Sequence, residues 1–91
     1  MKKAVRLYLT GLLTSMFFKQ FVKQNAEQYK ILGFMRKRED DGRIEMFIQG
    51  ESAGVDAMLA ACKQGPKYAK IYKVEEQAER WQDDIRDFKL L

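Results

Sequence analysis

Residues 5–30 read VRLYLTGLLTSMFFKQFVKQNAEQYK, and the change of rhythm inside this stretch decides the fold. Val5, Leu7 and Leu9 alternate with Arg6, Tyr8 and Thr10, which is the period of a half-buried strand. Gly11 punctuates the strand, and Leu12 to Met16 turn the corner. From Phe17 to about Lys30 the apolar residues Phe18, Phe21, Val22, Ala26 and Tyr29 fall at helical intervals. Thr14 or Ser15 is the expected N-cap, and Phe17, Phe18 and Phe21 are read as core. A loop that opens a helix is a natural anion site, because backbone N–H groups at a helix start have no partner within the helix.

Working outward, Ile31 to Arg36 reads as a second strand, with Gly33 marking close packing or a twist. Asp41-Gly42 is a hairpin signal. Arg43 to Gln49 then forms a third strand with Ile44, Met46 and Ile48 on one face and Arg43, Glu45, Phe47 and Gln49 on the other; Gly50 ends it. Ser52 is placed as the N-cap of a second helix. Val55, Met58, Leu59 and Cys62 share one face of that helix, so Cys62 reads as a small buried hydrophobe. The helix stops before Gly65-Pro66. Ala69, Ile71 and Val74 suggest a fourth strand whose alternation slips once, as at a bulge. Glu75 to Asp87 reads as a surface excursion or short helical turn, and Phe88 to Leu91 as a short edge strand. The order β-α-β-β-α-β plus a terminal strand specifies an α+β, ferredoxin-like split βαβ sandwich. Its sheet is expected to be antiparallel, with two helices on one face.

The 91 residues suffice for a single domain, residues 1–91, with one core. One cysteine excludes an intrachain disulfide and suits a reducing, cytoplasmic compartment. No apolar run approaches the ~18–20 residues of a membrane span, so no membrane association is expected. Arg6 interrupts the leader-like start. The sequence has no histidine, which removes Ser-His and Cys-His triads and most zinc sites from consideration. Residues 1–38 carry nine Lys/Arg against one acid, Glu27, while residues 39–91 carry eight against twelve acids. A basic first half can meet phosphate, nucleotide or nucleic acid.

The stretch LTGLLTSMFFK, Leu9 to Lys19, resembles the acylphosphatase signature L-x-G-x-V-Q-G-V-x-F-R. Leu9, Gly11 and Phe18 match outright, and Leu13 and Met16 match in character. Thr14 and Ser15 replace the family's glutamine and second glycine, and Lys19 its arginine. A second signature, G-[FYW]-V-[KR]-N followed by spaced glycines, is similar to Gly33-Phe34-Met35-Arg36-Lys37, with one extra residue before Gly42. The asparagine position falls on Lys37, or on Arg38 if the insertion lies earlier. Gly65-Pro66, Ala69, Ile71, Val74 and the final Phe88 and Leu90 resemble the family's last strands.

The resemblance implies an enzyme that hydrolyses carboxyl-phosphate bonds without cofactor or metal. It implies a phosphate cradle over Leu13, Thr14, Ser15, Met16, Phe17 and Phe18, an oxygen-binding residue at position 19 and a water-positioning residue at 37 or 38. Lysine keeps the charge of arginine but loses its bidentate fork. Lysine or arginine in place of asparagine offers donors only. Hydrolysis is therefore expected to be weak or lost, leaving binding of a small phosphate-bearing anion by a monomer. A non-enzymatic module for nucleic acid or an acidic protein is the alternative. Tyr8 and Phe47 would then lie on an open sheet face, or exposed Phe47 and Trp81 would mark a protein contact.

Overall fold

A computed structural model describes residues 1–13 and 16–91 of the chain. The elements run β1 (Lys2–Leu12), α1 (Met16–Gln28), β2 (Leu32–Lys37), β3 (Ile44–Glu51), α2 (Ser52–Gln64), β4 (Lys70–Ala78) and β5 (Phe88–Leu90). The sheet order is β4-β1-β3-β2-β5. The first four strands pair antiparallel, as expected. The fifth differs: β5 pairs β2 in parallel, so the sheet is mixed.

The core lies between the sheet and the helices. Val5, Leu7 and Leu9 stand opposite Ile48, Met46 and Ile44 in register. This layer packs on Phe18, Val22 and Ala26 of α1 and on Val55, Met58, Leu59 and Cys62 of α2. The one-face assignments for both helices thus hold. Burial pushes the Cys62 thiol up to about 12, which keeps it protonated and inert.

Several boundaries move, each for a local reason. β1 extends through Gly11 to Leu12 because it stays paired with β4 there, beyond Leu9, where its pairing with β3 ends. Its register with β4 jumps at Thr10/Gly11, where Lys73 and Ile71 are the successive partners and Tyr72 is the extra residue. A Cβ on Gly11 would lie 2.0 Å from the Lys70 carbonyl oxygen, so only glycine admits β4 at that distance. Gly33 has φ 147°, and a Cβ there would meet the Phe47 carbonyl oxygen at 1.7 Å. α1 ends at Gln28 in a Schellman turn: Lys30 takes φ 56°, Lys30 N–H donates to Glu27 and Ile31 N–H to Ala26. Gly50 lies inside β3. Ser52 is the first residue of α2; Glu51 holds the cap position without a side-chain bond. The proposed caps Thr14 and Ser15 lie outside the described residues.

Residues 75–78 continue β4, and residues 79–87 cross the sheet face opposite the helices to reach the far edge. Glu79 N–H donates to Ala4, both Gln49 amide ends bond the Gln82 backbone at 2.8 and 2.9 Å, and Gly33 N–H donates to Asp87. This crossing brings the chain back parallel to β2.

Candidate anion site

Two elements converge at one end of the helix-side layer. The β2 alternation puts Met35 and Lys37 on the helix side and Phe34 and Arg36 on the other. Lys19 sits in the first turns of α1. Lys19 and Lys37 line one cleft of about 220 Å³ with Leu13, Met35, Ile44 and Leu91. Leu13, Met35 and Ile44 belong to the buried core and make an apolar floor. No acidic side chain lines the cleft, and among the described residues no carboxylate forms an ion pair with either lysine. Two ammonium groups over an apolar floor favour an anion with more than one charged oxygen.

Arg38, the other candidate for the asparagine position, is held elsewhere. Its guanidinium donates to Asp40 at 3.1 and 2.7 Å and lies 5.3 Å from the centre of the Tyr8 ring. The hydrogen bond from Arg38 holds the Asp40 carboxyl at about 2, well below the ordinary carboxylate range. Arg43 covers Tyr8 as well, at 4.7 Å, and bonds Asp41 and Glu75. More open depressions follow the hairpin, with volumes of about 390 and 490 Å³, lined by residues such as Arg38 and Glu39. Their carboxylates make them poorer hosts for an anion than the lysine cleft.

The expected cradle residues divide. Leu13 and Phe18 are buried in the core. Met16 and Phe17 are exposed, so the assignment of Phe17 to the core is overturned. The Phe17 ring leaves the core and packs edge-on against Tyr68 at 5.9 Å, while the Tyr68 hydroxyl donates to the Phe17 carbonyl at 2.7 Å. Thr14 and Ser15 lie outside the described residues. Tyr68 and Leu91 escape a sequence reading because neither falls in a motif; only the tertiary fold brings them to the loop.

The opposite face is closed. Phe47 is fully buried, stacked on Phe34 at 6.1 Å and covered by the Arg6 guanidinium at 5.3 Å. Trp81 is half-buried, with the Lys2 ammonium 4.7 Å above its ring. The expectation that Phe47 lies open to a partner is therefore corrected. Arg6 and Arg36 converge on the buried Glu45 carboxylate; Arg36 donates at 2.9 Å, and Arg6 forms the second ion pair. Burial alone would raise the Glu45 carboxyl, but Arg36 and then Arg6 outweigh it and hold it below its ordinary value.

The chain is a ferredoxin-like α+β sandwich with a cleft lined by two lysines, Lys19 of α1 and Lys37 of β2. The acylphosphatase family profile matches residues 5–90, and the chain belongs to that family. It is 32% identical over 88 residues to an acylphosphatase of Rubrobacter xylanophilus, covering 97% of this chain and 79% of that one. An acylphosphatase of Pyrobaculum islandicum is 31% identical over 85 residues, covering 93% and 90% of the two chains. The crystal structure of acylphosphatase from Bacillus subtilis superposes with a TM-score of 0.87 at 23% identity, covering 100% and 99%. That likeness speaks to the fold.

Proposed function

We propose that the lysine cleft binds the phosphate of a carboxyl-phosphate compound and that hydrolysis there is strongly reduced. The observation that carries this reading is the placement of Lys19 and Lys37 on one cleft whose lining includes no acidic side chain. In this reading Lys19 holds the phosphate oxygens as a point charge, and the loop from Leu13 to Phe18 supplies backbone donors. Lys37, with donors only, strengthens the hold on the anion but cannot accept a hydrogen bond from the attacking water. Loss of one preorganised polar group at such a site costs about 10²–10³ in rate. The two replacements act on the same centre and need not multiply.

A module for nucleic acid or an acidic protein has less support. The arginines and aromatics that would have served it on the open face are engaged with Glu45, Asp40, Asp41 and one another. A cytoplasmic setting suits the single thiol. No helix among the described residues is long and apolar enough to cross a membrane.

The test is hydrolysis of benzoyl phosphate by the natural chain and by the Lys19→Arg, Lys37→Asn double variant. The expected outcome is a variant at least about 10²-fold faster. Turnover by the natural chain within about tenfold of the Rubrobacter relative, assayed beside it, would refute reduced hydrolysis.

A further inference from the structure

We infer that the open edge of β4 is a contact between two copies of this chain, in which residues 72–76 of each copy pair antiparallel about a two-fold axis at Val74. The contact does not rest on the anion reading, because β1 and β3 lie between β4 and the strand that carries Lys37. It replaces the monomer expected from sequence.

The sheet has two edges. β5 has 3 residues, whereas β4 has 9 and, among the described residues, pairs only β1. The unpaired side of a strand presents a row of N–H and C=O groups and is a template for another strand. The ladder fixes which groups are open. Glu79 N–H donates to the Ala4 carbonyl, so the backbone of Glu75 and Gln77 also turns toward β1, and that of Val74, Glu76 and Ala78 turns outward. Val74 stands opposite the core residue Leu9, yet it is only half-buried, because no strand covers its outer flank.

Charge decides the occupant and the register. β4 reads KIYKVEEQA, basic before Val74 and acidic after it. Lys73 and Glu75 share one face on either side of Val74, with their charged ends 3.8 Å apart. In an antiparallel pair of identical strands, outward-turned residues face outward-turned residues, so the axis passes through a single residue. An axis at Val74 sets Lys73 of each copy opposite Glu75 of the other and Val74 against Val74. It also sets the exposed Tyr72 opposite Glu76. An axis at Lys73, Glu75 or Glu76 instead sets that charge against itself, which is unfavourable. A lysine on an edge ordinarily deters pairing; here each lysine finds a carboxylate on the second copy. A purely acidic or basic strand would answer half of this pattern, and a second copy answers both halves. The bulge at Tyr72 ends the ladder, so the contact is short and the dimer weak.

The test is sedimentation equilibrium of the natural chain from about 10 µM to about 1 mM, where a short interface should show its dimer. Lys73→Glu and Glu75→Lys should each weaken the dimer by about tenfold or more, since both cross-strand charge pairs become like-charged. An equal mixture of these two variants should regain the natural strength, because each is complementary to the other. Glu76→Pro removes an outward N–H that β1 does not use, and it should weaken the dimer by about tenfold as well. Circular dichroism checks that each variant folds. Glu75 also accepts from Arg43; if Glu75→Lys does not fold, Lys73→Glu and Glu76→Pro decide the matter. A natural chain that stays monomeric to about 1 mM would overturn the contact. A dimer that Lys73→Glu or Glu76→Pro leaves at full strength would overturn it too, as would a mixture no stronger than its two components.

Discussion

Positive charge appears on both faces of the sheet, and the two faces treat it differently. On the face opposite the helices, Arg6, Arg36, Arg38 and Arg43 each meet a carboxylate, and three of them also lie over an aromatic ring. On the helix side, Lys19 and Lys37 share a cleft lined by no acidic side chain. The first arrangement is internally neutralised and closes that face of the sheet. The second keeps charge available for something outside the chain. A sequence count of basic residues cannot separate the two, because pairing is decided by strand register. Arg36 and Lys37 are neighbours in sequence, yet the pleat sends them to opposite faces.

The comparison is broken most sharply by reversing charge in the cleft. A Lys19→Glu, Lys37→Glu variant should lose inorganic phosphate affinity by roughly 10³-fold, because two charge-assisted contacts of about 1.5–3 kcal/mol each are replaced by repulsion. Both side chains are exposed, so the fold should survive, which circular dichroism checks. Retained phosphate affinity, measured by calorimetry, would show that anions do not use this cleft.

The carboxylate at the centre of the opposite face gives the next effect. Glu45→Gln leaves Arg6 and Arg36 facing a neutral amide and should cost about 1–3 kcal/mol of stability at pH 7, read from urea midpoints. The phosphate affinity should not move, since Glu45 points away from the cleft. The pH dependence has a definite sign. The folded-state value of Glu45 lies below its unfolded value. Its contribution is therefore fully present above the unfolded value of about 4.3 and is lost as pH falls through the folded one. The gap between natural chain and variant should close in acid. A gap that is constant from pH 7 to pH 3 would mean that Glu45 acts through packing alone.

How much of this was legible beforehand differs by residue. The period change near Gly11 located a strand and a helix because half-burial writes itself into alternation. Ile44, Met46 and Ile48 were assigned to the core face for the same reason. Their alternates were misjudged: Glu45, Phe47 and Gln49 look like a solvent face, but residues 79–87 cross over Gln49, and Arg6 covers Phe47. That crossing has no periodic signal, since it is held by backbone bonds and one glutamine side chain. Gly11 was legible as punctuation, whereas its reason, the Lys70 carbonyl oxygen, belongs to a strand about sixty residues away. At the site, Lys19 and Lys37 were found through the family pattern, and the choice between Lys37 and Arg38 was not. Which of them meets the cleft depends on the parity of β2 and on the hairpin that captures Arg38.

That last distinction yields the smallest expected effect and the finest test of the comparison. Arg38 is next to Lys37 in the chain and carries the same charge, so a reading based on local charge density expects Arg38→Ala and Lys37→Ala to weaken anion binding alike. Arg38 is instead bound to Asp40 on the hairpin and stacked on Tyr8, and its field at the cleft is offset by the carboxylate it holds. Removing it should change phosphate affinity by no more than about twofold at physiological salt, where exposed charges beyond about 8 Å are screened. Lys37→Ala should weaken the same affinity by about tenfold or more, the worth of one charge-assisted contact. Parallel titrations of the two alanine variants decide the matter. Equal losses would mean that the anion senses the hairpin as a whole, and the division of the basic residues into a paired face and an available cleft would fail at its boundary.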